Sequence, residues 1–391
     1  MVMTTDIEAA NRLTGHPLAV DALYVATHRS DFVGKSPNLA WVAADRGMRL
    51  NPSPGTNRGD EQRCGRKALY RGIYTSPPIV ADFAFNEVVP SWAIRLDEEK
   101  QGYRVQMRFA GENGPWSPWF HFGGAGILAR NPGTRRTIED NDWGRVEIDY
   151  IILRKPARRF QYRVELLSTV RPVRDRRMVL RRFAVSYSNT LGDRALFRRA
   201  QASKKPLSDA WMRVLPVPYR SQLWVEDKEL AGQICCPTCV AMVLASHGFD
   251  LPTTEVASMA YDEENKIYGN WSRAAQIGTR YGLEGTVQRF RNDEDVKRAI
   301  AEGLPVIASI RFRRGELRNA HYQNTGGHLI LIRGFTQEGD YVVNDPYNPG
   351  PDGEEVVYFR DDMQKVWFDK GGVGIVYLPA VANSQTGWDP K

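Results

Sequence analysis

The feature that most restricts the fold of this sequence is a change of pattern near residue 190. Between about residues 70 and 190, short segments of alternating apolar and polar residues follow one another, separated by turn sequences such as ENG and NPG. Segments of this length and spacing are typical of an antiparallel β-sandwich. After residue 214, helical periods come first and apolar strand-like runs follow. Helices followed by a sheet predict an α+β domain.

The chain has 391 residues, which is enough for more than one domain. We predict a multidomain protein. Residues 1–50 would be an N-terminal extension or the first strands of the sandwich, and residues 51–195 would form the sandwich, a candidate binding domain. Residues 196–213 have the polar, basic composition of a linker. Residues 214–382 would form the α+β domain.

The composition indicates a soluble protein. Hydrophobic residues make up 42% and charged residues 25%, and no window approaches the roughly 18 consecutive apolar residues of a membrane helix. The N-terminal residues contain no apolar run of the kind found in a secretion signal. Cytoplasm is therefore the default location, and export by another route stays open.

One stretch of the chain is strongly basic. Residues 154–206 contain sixteen Lys or Arg against three Asp or Glu. Because the basic residues alternate with apolar ones at strand period, we interpret them as the solvated face of a sheet. No recognised nucleic-acid-binding motif accompanies the charge, so no nucleic-acid partner is expected.

Three of the four cysteines lie close together in the segment QICCPTCVAMVLASHG: Cys235, Cys236 and Cys239. Pro237 suits the first position of a helix and Gly248 its C-terminal end, so Cys235 would lie just before the helix N-terminus. A thiol there is close to the positive end of the helix dipole and to amides without partners, which favours the thiolate. Cys239, inside the first turn, would be buried.

Two other uses of these cysteines are disfavoured. Adjacent cysteines are poorly placed to bridge each other in a disulfide. A zinc site of the three cysteines and His247 would lack the second pair of ligands that structural zinc normally takes. We interpret His247 instead as a helix C-terminal residue that interacts with the dipole. Neither a metal nor another cofactor is expected.

A nucleophilic thiol needs a base, and the base needs an orienting group. His328 opens the apolar strand HLILIRGF behind two glycines, and Asp345 ends the next strand, seventeen residues later. Two antiparallel strands joined by the turn TQEGD would bring these two ends together. The order Cys235, His328, Asp345 across a helix and two strands is that of a thiol protease.

These segments resemble a known family. The motif CCPTCVAMVLASHG is similar to the Cys-Gly-Pro-Thr-Ser start of the peptidase C39-like proteins, and VPYRSQ, YGNWSRAAQIGTRYG, TGGHLILIRGF, VVNDP and GVGIVYL resemble further blocks of that family. The resemblance covers roughly residues 214–380 and implies a papain-like cysteine peptidase fold. It also implies that Cys235 is the nucleophile, His328 the base and Asp345 the orienting group. Gln222 would be a candidate oxyanion-hole donor. The N-terminal half resembles, more loosely, the β-sandwich that accompanies such domains.

The chain departs from the family motif at two positions. Cys236 stands where the family has glycine, and Cys239 stands where it has a small residue. A side chain at position 236 would crowd the oxyanion site or act as a second thiol, so Cys236 is a substrate-pocket candidate. The oxyanion-hole donor stays open as well, because Gln233 is nearer to Cys235 in sequence than Gln222 is.

Other polar and aromatic residues are weaker candidates. Asn270, Trp271 and His321 are substrate-pocket candidates, although Asn270 also suits a helix cap. Trp116 and Trp119, in GPWSPWFHFGG, could contact a carbohydrate or a cell surface, and packing in the sandwich is the alternative.

The sequence therefore predicts a cysteine peptidase or thiol amidase that hydrolyses a peptide or amide bond through a Cys-His-Asp triad. The alternative is a catalytically weak or inactive papain-like binding module with a ligand-binding sandwich, because Cys236 replaces the family's glycine. The expected partners are a peptide or amide substrate and a carbohydrate or cell-surface ligand for the sandwich. No membrane span is expected.

Overall fold

The computed structural model describes residues 20–51, 70–127, 139–172, 177–192, 207, 209–350 and 355–380. The chain divides into two compact units, an N-terminal unit that extends to Asp193 and includes Glu263–Lys266, and a C-terminal unit of Arg194–Asp262 and Ile267–Ala380. Most of the predicted linker 196–213 lies outside the described residues. Within the described ranges, no helix is long and apolar enough to cross a membrane.

The N-terminal unit is built from antiparallel strands, eleven of them within the described residues. They are β1 (Val20–Ala26), β2 (Leu39–Val42), β3 (Gly47–Leu50), β4 (Tyr70–Thr75), β5 (Ile79–Arg95), β6 (Gln101–Ala110), β7 (Phe120–Gly126), β8 (Glu139–Asn141), β9 (Gly144–Glu147), β10 (Tyr150–Ser168) and β11 (Val179–Asn189). The strand-rich, antiparallel character predicted for this half is confirmed. Its division into the two facing layers of a sandwich stays a prediction.

Two long strands, β5 and β10, connect the sheet because each changes partners along its length. β5 pairs with β10 through its first half and with β11 through its second half. β10 pairs with β9 and β5 near its start and with β4 and β6 toward its end. The single segment RVEIDYIIL of the sequence pattern is split at a turn into β9 and β10, where Ile148 adopts the left-handed conformation with φ 64°.

Aromatic side chains fill the core of the N-terminal unit. The Tyr162 and Phe183 rings are stacked with their centroids 3.9 Å apart, and Phe85 lies edge-on to Phe160 at 6.1 Å. All four are fully buried. Burial of apolar area contributes about 25 cal/mol per Å², so these rings are a main source of stability for this unit.

The C-terminal unit combines helices with a six-stranded antiparallel sheet. The helices are α1 (Lys228–Ala231), α2 (Cys235–Ser246), α3 (Thr253–Ala260), α4 (Trp271–Ile277), α5 (Asp293–Ala301) and α6 (Arg360–Val366). The strands are β12 (Leu283–Arg289), β13 (Val306–Phe312), β14 (Thr325–Phe335), β15 (Tyr341–Asn344), β16 (Val356–Tyr358) and β17 (Val373–Pro379), in the spatial order β12-β17-β13-β14-β15-β16.

Helices and strands do not follow one another as simply as the sequence suggested. β12 lies between α4 and α5, and α6 lies between β16 and β17. Among the described residues, β12 is an edge strand that pairs only with β17. An edge strand has one unpaired side and tolerates polar residues, so its sequence LEGTVQR has a weak strand pattern.

A segment ahead of α1 adds a short extended pairing to β14. The Leu215 N–H donates to the Arg333 carbonyl at 2.7 Å, and the Phe335 N–H donates to the Arg213 carbonyl at 3.2 Å. Gly334 lies between these bonds, where a Cβ would be 2.3 Å from the Arg213 carbonyl oxygen. Glycine at this strand position is therefore required by the close backbone approach.

Candidate active site

The first turn of α2 exposes one thiol at its N-terminal end. Cys235 is the first residue of the helix, two positions earlier than the start predicted at Pro237. It is partly exposed, whereas the following residues 236–244 are buried. The Thr238 side chain and N–H both donate to the Ile234 carbonyl, at 2.7 and 3.0 Å, and fix the start of the helix.

His328, at the start of β14, acts directly on this thiol. Burial raises the pKa of Cys235, but the charge of His328 and a hydrogen bond from its ring lower it, as do the backbone N–H groups of Leu329 and Cys236. The net result is a pKa below the ordinary thiol value. These partners favour a thiolate, the nucleophilic form of cysteine.

Asp345 is bonded to the other side of the same imidazole. The His328 Nε2 lies 2.8 Å from the Asp345 Oδ1, and Asp345 is fully buried. Because Nε2 is occupied by the carboxylate, Nδ1 is the ring nitrogen left for Cys235. The structure thus brings together Cys235, His328 and Asp345 in the order that the sequence suggested.

The charges of Cys235, His328 and Asp345 stabilise one another. Burial lowers the pKa of His328, but the charges and hydrogen bonds of Asp345 and Cys235 raise it to about 10. Burial raises the pKa of Asp345, and the His328 charge with hydrogen bonds from His328, Tyr358 and Tyr347 lowers it below its usual range. A thiolate and an imidazolium are therefore favoured together, with an ionised carboxylate behind them.

Two tyrosines that sequence reasoning missed hold the second oxygen of Asp345. The Tyr322 hydroxyl donates to Oδ2 at 2.9 Å and the Tyr358 hydroxyl donates to the same atom at 2.6 Å. The Tyr322 ring also lies edge-on to the His328 ring, with centroids 5.1 Å apart. No local pattern identifies these residues, because their hydroxyls reach Asp345 only through the tertiary fold.

The segment that contains Gln222 supports the loop after Asp345. The Tyr219 hydroxyl donates to the Asp345 carbonyl at 3.0 Å, and the Gln222 N–H donates to the Pro346 carbonyl at 2.8 Å. The Gln222 side chain is buried, and its Nε2 donates to the Ala231 carbonyl at 2.6 Å. An amide nitrogen has two N–H donors, so one remains for a further acceptor. Gln233 is exposed instead, and its Nε2 donates to the Glu229 carbonyl at 3.3 Å.

Comparison with known proteins identifies the family. Residues 214–375 match the model of the Peptidase_C39 like family, and residues 24–188 match the model of the Peptidase C39 N-terminal domain. The chain belongs to the peptidase C39-like family. No curated protein matches it significantly.

Two solved structures are similar to part of the chain. One is a double glycine motif protease from an AMS/PCAT transporter in complex with the leader peptide. The two chains are 18% identical, the match covers 42% of this chain and 94% of the protease chain, and the TM-score is 0.30. The other is described as a C39-like peptidase from Bacillus anthracis, is 17% identical, covers 42% of this chain and 96% of that chain, and has a TM-score of 0.32.

The two remaining cysteines of the C39-like motif are buried. Cys239 is inaccessible, and its Sγ donates to the Leu329 carbonyl at 3.3 Å. Burial and the charges of Cys235, Cys236 and Asp345 raise the pKa of Cys239 well above its ordinary value. Cys236 is also inaccessible and is close enough to Tyr377 for their charges to interact. Since Cys236 is inside the domain, its predicted position in an open substrate pocket has no support.

The weaker pocket candidates separate from the triad. Asn270 is buried, its Oδ1 accepts from the Arg273 N–H at 3.0 Å, and its Nδ2 donates to Asp262 at 2.8 Å, so it is a helix cap. Trp271 is the half-buried first residue of α4. His321 is exposed in the loop before β14 and makes none of the hydrogen bonds of the triad. Substrate contact by these three residues stays without structural support.

In the N-terminal unit, Trp116 and Trp119 are partly exposed and stack with arginines. The guanidinium of Arg108 lies between the two rings, 4.8 Å from the Trp116 centroid and 4.7 Å from the Trp119 centroid. Arg159 lies 5.2 Å from the Trp116 centroid, and Arg163 lies 4.1 Å from the Trp119 centroid. Each ring thus has two cationic neighbours over it, which stabilise it in place and occupy the surface on which a sugar would stack. The carbohydrate prediction is therefore unsupported.

Within the described ranges, no group of three or more His, Cys, Asp or Glu is arranged to hold a metal ion. Cys235, His328 and Asp345 supply a thiol, an imidazole and a carboxylate to the candidate site.

Proposed function

We propose that this chain is a cysteine-type peptidase or thiol amidase with a papain-like C-terminal domain. The main observation in support is the hydrogen-bonded series from Cys235 through His328 to the buried Asp345, with the thiol pKa lowered and the imidazole pKa raised to about 10. Such a pair stores the proton on the base before substrate arrives, as nucleophilic cysteine catalysis requires.

The proposed reaction has two halves. The Cys235 thiolate attacks the carbonyl carbon of a peptide or amide, and the Gln222 Nε2 and the Cys235 N–H are the candidate donors to the developing oxyanion. His328 gives its proton to the leaving amine, the C–N bond breaks, and a thioester with Cys235 remains. His328 then takes a proton from water, the resulting hydroxide attacks the thioester, and the carboxylic acid and the thiolate are released.

Asp345 would act through His328 and does not contact substrate in this scheme. Its carboxylate holds the imidazole ring by Nε2 and stabilises the imidazolium. The alternative of an inactive binding module depended on Cys236 crowding the site. The burial of Cys236 weighs against that alternative.

The first test is thiol reactivity as a function of pH. In the wild type, iodoacetamide should modify Cys235 at about pH 6, where an ordinary thiol is almost entirely protonated. His328→Gln should raise the Cys235 pKa and slow the reaction at this pH about a hundredfold, because burial remains while the positive charge is lost. Mass spectrometry of the tryptic peptide gives the rate, and His321→Gln is the matched control that should behave as wild type.

Hydrolysis is tested with a mixture of peptides that samples many residue pairs, analysed by mass spectrometry. The wild type should cleave some of them, and Cys235→Ala should cleave none. Cys239→Ala is the control, since that thiol is buried and has a raised pKa. Preferential alkylation of Cys236 or Cys239, or cleavage that survives Cys235→Ala, would contradict the proposal.

A further inference from the structure

A pocket with a strongly basic lining is present in the C-terminal unit. Its volume is about 620 Å³, and its lining includes Arg311, Phe312, Arg313, Arg314, Glu316 and Lys370. Four of these six side chains are cationic and one is acidic. A pocket of this size can accept a short peptide segment or a small ligand.

The positive charges of this pocket are available to a ligand. Arg311, Arg313, Arg314 and Lys370 are exposed, and none of them forms an ion pair with a carboxylate of the described residues. The single acid, Glu316, accepts a hydrogen bond from the Arg313 backbone N–H at 2.8 Å, so its carboxylate is engaged by the main chain. The pocket therefore presents an excess of unpaired positive charge, including arginine guanidinium groups that match a carboxylate in shape.

The pocket adjoins the triad through one aromatic contact. Phe312 is one of the lining residues, and its buried ring lies 5.2 Å from the Tyr322 ring. Tyr322 in turn donates to Asp345 and lies 5.1 Å from the His328 ring. Thr325, also in the lining, pairs with Phe312 across β13 and β14. It precedes His328 by three positions, roughly 10 Å along an extended strand.

We propose that this basic pocket binds acidic side chains of a peptide segment that flanks the scissile bond, so that the enzyme prefers acidic substrates. The proposal rests on the proposed function for its link to catalysis. Aspartate or glutamate carboxylates would bind the guanidinium groups of the pocket. Since the cations are exposed, their attraction should weaken as salt is added.

The test separates binding from catalysis by using the full-length Cys235→Ala protein. Fluorescence anisotropy with an uncharged dye compares a short peptide that contains consecutive glutamates with the same peptide in which glutamines replace them. The glutamate peptide should bind more tightly, and added sodium chloride should reduce the difference. Arg311→Gln combined with Arg313→Gln should weaken its binding about tenfold, at the strength expected for two exposed ion pairs. Lys365→Gln, which removes an exposed charge of α6 outside the lining, should leave binding unchanged.

Equal binding of the two peptides would overturn the proposal. The proposal would also be overturned if both double variants, Arg311→Gln with Arg313→Gln and Arg314→Gln with Lys370→Gln, bound the glutamate peptide as tightly as the Cys235→Ala protein does. Circular dichroism must show that both are folded. A selective pocket in a wild-type protein that hydrolyses no peptide would instead contradict the proposed function and leave the pocket assignment standing. Hydrolysis without preference for acidic peptides would contradict the pocket assignment alone.

Discussion

Asp345 accepts four hydrogen bonds although it is fully buried. His328 and the Tyr347 N–H donate to Oδ1, and the hydroxyls of Tyr322 and Tyr358 donate to Oδ2. A buried carboxylate without donors would take up a proton and lose its hold on the imidazolium. The two tyrosine hydroxyls therefore hold the Asp345 carboxylate in place, and the hydrogen bond from Tyr358 helps to lower the pKa of Asp345.

Removing one of these hydroxyls should measurably destabilise the ion pair of Asp345 and His328. Tyr358→Phe should lower the free energy of unfolding at neutral pH by about 1.5–3 kcal/mol, the usual range for a hydrogen bond to a charged group. The pKa of Asp345 is depressed in the folded state, so its contribution to stability is lost as pH falls through that pKa. With one donor removed the folded pKa rises, and this loss should begin at a higher pH.

Urea unfolding between about pH 3 and pH 7 measures both effects. Tyr341→Phe is the matched control, because Tyr341 is also fully buried and its hydroxyl has no hydrogen-bond partner among the described residues. That variant should be neutral or slightly stabilising. Identical pH profiles for the two variants would show that the Tyr358 hydroxyl does not support Asp345.

The sequence could indicate Cys235, His328 and Asp345 because each stands at a recognisable end of a helix or strand. It could not indicate Tyr322 or Tyr358, which belong to a loop and an edge strand with no motif around them. Their function depends on where the chain folds back. The same holds for Cys236, whose burial beside Tyr377 follows from packing and not from its place in the motif.

Among the elements, β14 is contacted by two neighbouring strands, by α2 and by the segment around Val214. Two glycines precede His328 in β14, and the strand pairs with β13 and β15. The Leu329 carbonyl of β14 accepts a hydrogen bond from Cys239 of α2. On the far end, the segment around Val214 bridges to Gly334. Clear strand and helix patterns predict these buried elements, whereas the edge strand β12 and the short α6 have no pattern strong enough to be predicted.

Gly334→Ala should separate the segment around Val214 from β14. A Cβ at this position would be 2.3 Å from the Arg213 carbonyl oxygen and 2.6 Å from the Val214 Cα, and both are backbone atoms that cannot rotate away. We expect a loss of about 1–3 kcal/mol in the free energy of unfolding, the usual cost of forced overpacking. Gly269→Ala is the control, because its added Cβ would meet nothing within 4 Å. Equal stability of the two variants in urea would refute the close-approach argument.

Across the whole chain, every residue of the proposed triad and its supports belongs to the C-terminal unit. Cys235, His328, Asp345, Tyr322 and Tyr358 all lie between Arg194 and Ala380, outside Glu263–Lys266. The N-terminal unit has its own aromatic core. Sequence patterns distinguished the two halves because strands alternate with period two and helices do not. They did not reveal the partner changes of β5 and β10, which depend on pairings distant in sequence.

If the site depends on the C-terminal unit alone, residues 194–380 produced separately should keep the low-pH reactivity of Cys235. The reason is that the groups that lower the thiol pKa, His328 and the N–H groups of Leu329 and Cys236, are all within this segment. Iodoacetamide modification at about pH 6 should proceed within about threefold of the rate in the full chain. Circular dichroism establishes first that the segment is folded. The His328→Gln variant of the segment gives the rate expected of a thiol without its base. A folded segment whose Cys235 reacts only at alkaline pH would show that the N-terminal unit helps to form the site.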